Sequence, residues 1–264
     1  MLAGLMWLRL DSAGLTLADV FNPPEVLSGV PTARGPSALQ DVPPEGVDEA
    51  PAPLSTPPPV DASSSSYAFI DMVRGPDGSR VPVSWSPCRP IHVVLNPDRA
   101  PEGFVDTLSD TLAELSALTG LVLTLEGETD EPPGLFRLPY QPDRYGDRWA
   151  PVLVAFADED DVPDLAGNVA GVASSVPIGR GDGSAPVYMT GAVYLDVSTK
   201  GHGWLTPPAV YREVLRHELA HLLGLDHVDD PTQLMNPQLS QSSFQAGDRA
   251  GLAQLGSGRC APDL

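Results

Sequence analysis

The chain is short of cysteine, of aromatic side chains and of positive charge. Its 264 residues hold 2 cysteines, 6% Phe, Trp and Tyr, and 15 Lys and Arg against 35 Asp and Glu. Neither Cys88 nor Cys260 has a second soft ligand nearby, which excludes a cysteine-type zinc module. A formal net charge of −20 repels phosphate backbones and anionic lipid surfaces, so nucleic acid and such membranes are excluded as partners. No stretch is long and apolar enough to predict a transmembrane helix. The apolar start, Met1–Leu10, has one late basic residue and a short apolar core. It is not a convincing signal peptide. Histidine is scarce too, with five in all.

Proline is plentiful, with 30 residues against 25 glycines, and unevenly spread. Residues 22–66 are rich in Pro, Ser, Ala and acid, with Pro57-Pro58-Pro59 and Ser63 to Ser66. Such a stretch buries too little apolar surface to offset its ordering entropy. The expectation is an apolar stub and disordered spacer over 1–66 and one domain over 67–264. The acidic composition suits a well-dispersed monomer.

Within the domain, Tyr67 to Val73 and Arg80 to Trp85 flank Gly75-Pro76-Asp77-Gly78, which predicts a hairpin. Ile91 to Leu95 reads as a buried strand, with His92 a packed or surface histidine. Phe104, Leu108, Leu112, Leu115 and Leu118 recur at helical spacing, between Pro101 and Gly120. Leu121 to Leu125 follows as a strand, and a right-handed crossover with parallel strands results. Val152 to Phe156 adds a third strand. Asp158 to Asp161 with Asp164 is an acid cluster, for which calcium is a minority reading. Val187 to Asp196 reads as a further strand. Thr206 suits an N-cap and Pro207 a first helical turn, after a Gly-flanked loop carrying His202. Phe244, Asp248, Leu252 and Leu255 mark a last helix.

Cys88 precedes an early strand and Cys260 follows the last helix. A disulfide tying the end of the domain to its beginning is the favoured reading. A thiol cap on a metal and two free thiols are the alternatives. A disulfide implies an oxidising compartment, so the expected location is secreted or cell-wall associated.

Three of the five histidines fall in His217-Glu218-Leu219-Ala220-His221-Leu222-Leu223-Gly224-Leu225-Asp226-His227. On a helix, His217 and His221 leave one face a turn apart and can grip one ion. Gly224 tolerates the left-handed conformation that ends a helix. The bend brings His227 round as a third ligand. Three protein ligands and an open position describe a catalytic zinc site. Glu218 is placed to take a proton from water there without being a ligand.

This pattern resembles the His-Glu-x-x-His-x-x-Gly-x-x-His signature of the metzincin zinc endopeptidases. Leu234-Met235-Asn236-Pro237 is similar to their methionine turn. The likeness is to the matrixins and their bacterial relatives. It implies an α+β catalytic domain: a mostly parallel twisted sheet with an antiparallel edge strand, an active-site helix and a C-terminal helix. It implies a zinc endopeptidase in which His217, His221 and His227 hold the metal, Glu218 is general base and Met235 floors the site. It also implies that Val187 to Asp196 is the sheet edge, along which a peptide substrate lies. The histidines that matrixins use for a second zinc are absent, so no structural zinc is expected. A zinc-containing peptide-binding domain without proteolysis, and a hydrolase of a cell-wall amide, are the alternatives.

Overall fold

The computed structural model of the protein describes residues 42–60, 64–75, 78–180, 184–198, 207–238 and 241–264. The expectations for Met1–Leu10, for His202 and for Thr206 fall outside these residues. So do the first part of the proposed spacer and Ser63.

The chain opens with short strands: β1 (Ala68–Phe69), β2 (Met72–Arg74), β3 (Arg80–Pro82) and β4 (Ser84–Trp85). β2 and β3 pair antiparallel across the expected turn. β5 (Ile91–Leu95), helix α1 (Phe104–Thr119) and β6 (Leu123–Glu128) form the crossover, with β5 and β6 parallel. A short helix α2 (Pro142–Tyr145) precedes β7 (Val152–Ala157). Then come β8 (Gly171–Ile178), β9 (Val187–Asp196), α3 (Pro207–Leu223), β10 (Leu225–Asp226) and α4 (Ala246–Leu255). This is an α+β domain.

The main sheet runs β6-β5-β7-β9, with β4 parallel to the start of β9 and β8 antiparallel along it. α1 stops at Gly120, whose φ of 73° lets its N–H turn back to Ser116. The buried face of α1, from Phe104 to Leu115, packs with α3 and α4 over one side of the sheet. Phe156 joins the layers, edge-on to Phe104 at 4.8 Å and to Tyr211 of α3 at 5.1 Å.

One expectation is corrected. Val187–Asp196 is not the sheet edge. β7 and β4 pair with it as well as β8, and all ten residues are buried. A continuous apolar run suits such a central strand. Among the described residues the antiparallel edge is β8, which sequence reasoning passed over. Its residues are mostly half-buried, and its Pro177 and paired serines weaken the strand signal.

A second difference concerns the spacer. Residues 43–60 lie along the domain, and Pro43–Leu264 forms one unit. Ala50 donates to Cys88 O at 2.7 Å and Leu54 to Pro87 O at 2.9 Å. Glu49 is buried against Arg89 (3.1 Å) and accepts from Ser86 Oγ. Thr56 and Pro57 press on Gly120 so closely that a Cβ there would lie 2.5 Å from their backbone. Proline-rich chain needs no repeating ladder to pack, because a few backbone bonds and one buried ion pair hold it. Beneath it, Cys88 and Cys260 are disulfide-bonded, Cα to Cα 5.3 Å. The bond closes a loop of 172 residues, worth about 4–5 kcal/mol in the chain-entropy model. It also removes Cys88 as a thiol cap.

The acid cluster is bridged by Arg99, paired with Asp158 at 2.9 Å and with Asp161. This guanidinium offsets the charge of two of the five acids. His92 is half-buried, with Nδ1 2.8 Å from Glu126.

The loop between β6 and β7 is held by one buried arginine. Arg137 makes a two-pronged pair with Glu131 and reaches Thr190 Oγ1, Gly191 O and Pro151 O. Burial would raise the Glu131 pKa, but Arg137, Gln141 and Tyr145 together bring it below 4.5. A carboxyl depressed in the folded state adds stability above its unfolded pKa, lost as pH falls through the folded value. Thermal melts should therefore show wild-type protein losing stability below pH 4.5. Arg137→Ala should cost about 3–5 kcal/mol at neutral pH by stranding Glu131, and should flatten that acid loss.

Candidate metal centre

Helix α3 carries Val210, Val214, Leu215, Leu219 and Leu222 into the core. His217 and His221 leave a neighbouring face. The helix ends where Gly224 takes φ 119° and its N–H bonds to Ala220 O and His221 O. Trp85 Nε1 and Ser175 Oγ donate to Leu222 O at 2.9 and 2.6 Å. These donors satisfy a carbonyl that the helix leaves free. Beyond the bend, β10 pairs with β1, and Ile70 N–H donates to Gly224 O at 3.0 Å. The segment 68–70 thus stitches down the turn that delivers His227.

The result is convergence. His217 Nε2 lies 3.0 Å from the Nε2 atoms of both His221 and His227, and the last pair is 3.1 Å apart. The second ring nitrogens fix the tautomers. His217 Nδ1 donates to Leu234 O at 3.0 Å, and His221 Nδ1 to Leu225 O at 2.7 Å. A carbonyl only accepts, so these Nδ1 atoms carry the protons. Burial, with His227 nearby, pushes the His217 pKa down to about 4. Burial and its two neighbours hold His221 well below the ordinary value. Burial lowers His227 as well. At neutral pH the rings are therefore neutral, and the bare Nε2 lone pairs of His217 and His221 face one another. Lone pairs at that spacing repel unless a cation lies among them. A point about 2.0–2.1 Å from all three, the zinc–imidazole bond length, exists beside the triangle. The donor set fits zinc.

Glu218 follows His217 on α3 and is buried, with 7% exposure. Burial alone pushes its carboxyl up to about 8. A dication beside it would favour the charged form and oppose that shift.

Met235 is buried in the turn after the third histidine. Its carbonyl accepts from Val228 N–H, and Asn236 Nδ2 donates to Val228 O, both at 3.0 Å. The turn folds back under the segment that follows His227. Sequence reasoning missed what anchors it. Asp248, buried in α4, accepts from Leu234 N–H (2.8 Å), Met235 N–H (3.2 Å) and Gln245 N–H (2.8 Å). One carboxylate thus caps α4 and holds the turn whose Leu234 carbonyl orients His217. The spacing Gln245-x-x-Asp248 at a helix start was the available signal, a capping-box variant.

Cys88 and Cys260 come together beside Glu49, in a group separate from the histidines. With its sulfurs bonded, that group is no metal site. Among the described residues no other trio of His, Cys, Asp or Glu converges.

Residues 172–255 match the sequence profile of the matrixin peptidases (Peptidase_M10, Matrixin). No curated protein matches the chain. Among solved structures, metalloproteinase-II from Bacteroides fragilis is similar at 14% identity and a TM-score of 0.37. That match covers 78% of this chain, which spans 57% of the Bacteroides protein.

Proposed function

Starting from residues 172–255 as a matrixin-like metzincin segment, we propose that the protein is a zinc endopeptidase acting outside the cytosol. The observation that carries this reading is the convergence of three imidazole Nε2 atoms within 3.1 Å of one another. His217, His221 and His227 would hold the ion. Zinc, when bound, supplies Lewis acidity and makes a neighbouring water acidic enough to act near neutral pH. Glu218 acts as general base, taking the proton of the attacking water at its carboxylate and returning it to the leaving amine. Burial of Glu218 keeps bulk water from competing for that proton. Leu234 O and Leu225 O keep the rings of His217 and His221 in the ligating tautomer. Met235 gives the site an apolar floor and moves no proton.

In this reading β8 is the substrate-holding edge. One side of its ladder is used by β9, and the other can pair with an extended peptide through main-chain hydrogen bonds. The Cys88–Cys260 bond suits an oxidising compartment.

Purified protein should cut denatured casein, and a chelator should stop it. Added zinc should restore the activity. Cutting that persisted after exhaustive metal removal would reject the reading.

A further inference from the structure

Building on the reading of Glu218 as the base, we infer that Gly171 is its positioning residue. Gly171 opens the edge strand β8, where it pairs with Leu195 of β9. It is not among the glycines with positive φ, so its backbone could carry any side chain. What it lacks is space. A Cβ at Gly171 would lie 2.8 Å from Glu218 Cγ, 2.8 Å from Val214 Cγ1 and 3.2 Å from Glu218 Cδ.

These distances describe a slot. Val214 sits one turn before Glu218 on the same helix, and its branched side chain is stiff there. The bare backbone of Gly171 faces both side chains at once. It fills the space toward β8 into which the Glu218 stem could otherwise swing. A methyl at Gly171 has two neighbours to displace. The valine resists, so the glutamate moves.

The placement has a consequence for registration. β8 is the strand whose open ladder can take a peptide, and its first residue touches the base. Strand and base are therefore set against each other by direct contact. A peptide paired with β8 would arrive already aligned with the Glu218 carboxylate.

The test compares wild-type protein with Gly171→Ala, Val214→Ala and the double variant. In metal-free crystals of Gly171→Ala, Glu218 Cγ should be displaced while the three histidine rings stay in place. On a casein-derived peptide, kcat should fall about 10–100-fold, as expected for a misplaced catalytic group. KM should stay within about twofold, since uniform binding is untouched, and bound zinc should remain one per chain. Val214→Ala in the Gly171→Ala background should recover about tenfold of the loss, because the two sites couple through one slot. The inference is overturned if Glu218 stays in place in Gly171→Ala, or if kcat is unchanged. It is equally overturned if the loss comes with lost zinc or a raised KM, or is not relieved by Val214→Ala. If Glu218→Gln stays active, the base assignment has failed, and the crystal comparison alone then decides the slot. If Glu218→Gln is inactive while Gly171→Ala is not, only the Gly171 inference falls.

Discussion

Glu218→Gln should bind one zinc per chain, melt at or above the wild-type temperature, and turn over peptide about 10²–10⁴-fold more slowly, the usual weight of a positioned acid–base group. The amide matches the carboxylate in shape, so its packing against Gly171 is kept. It cannot take a proton. Stability should not suffer, because burial already disfavours the charged carboxylate, raising its pKa to about 8. With a dication beside it, the carboxylate is favoured again, so wild-type activity should persist well below pH 8. Metal analysis of the same samples used for the rate measurement separates loss of the base from loss of the ion. A variant that kept its metal and worked within about tenfold of wild type would deprive Glu218 of the role, given those magnitudes.

Asp248→Ala should be the most destabilising single change near the site. The carboxylate is 1% exposed and accepts three backbone N–H groups. Alanine leaves all three without this acceptor, two of them buried, at a combined cost of about 3–5 kcal/mol once partial relaxation is allowed. The effect should reach the metal. Leu234 lies between Asp248 and the His217 ring, so a loosened turn frees that ring, and zinc affinity should drop about 10–100-fold, as for other supports behind a ligand. Urea melts and zinc competition read these separately. Asp248→Asn, which keeps the shape and one acceptor oxygen, should lose less of both. If Asp248→Ala melted within about 1 kcal/mol of wild type, the hydrogen bonds would be worth less than a single ordinary one.

The convergence of the candidate centre was largely legible before any fold was known, because its three histidines are close in sequence. His217, His221 and His227 span one helix turn and one bend, and local geometry brings them together. The disulfide was legible for a different reason: two cysteines leave one pairing. The sheet edge was not. Strand order is decided by which ladders close over long separations. Nothing local in Val187–Asp196 says that both of its sides are taken. The true edge, β8, hides behind Pro177, Ser174 and Ser175. The packing of residues 43–60 was hidden by composition. That stretch has almost no periodic pattern, and its order comes from Glu49 meeting Ser86 and Arg89 in one distant segment and Ala261 in another. Asp248 looked like an ordinary capping acid, and its second task needed the turn and the helix to be seen together.

The open side of β8 carries a risk as well as a use. An unpaired row of backbone donors and acceptors does not distinguish a substrate from the same strand of a neighbouring molecule, which makes such rows sites of self-association. Pro177 limits this, since it has no N–H to offer, and the ladder slips between Val176 and Pro177. The stretch open to any incoming chain is thereby shortened toward Gly171, the end that touches Glu218. A second copy that docked there would compete with any extended peptide for the same stretch of backbone.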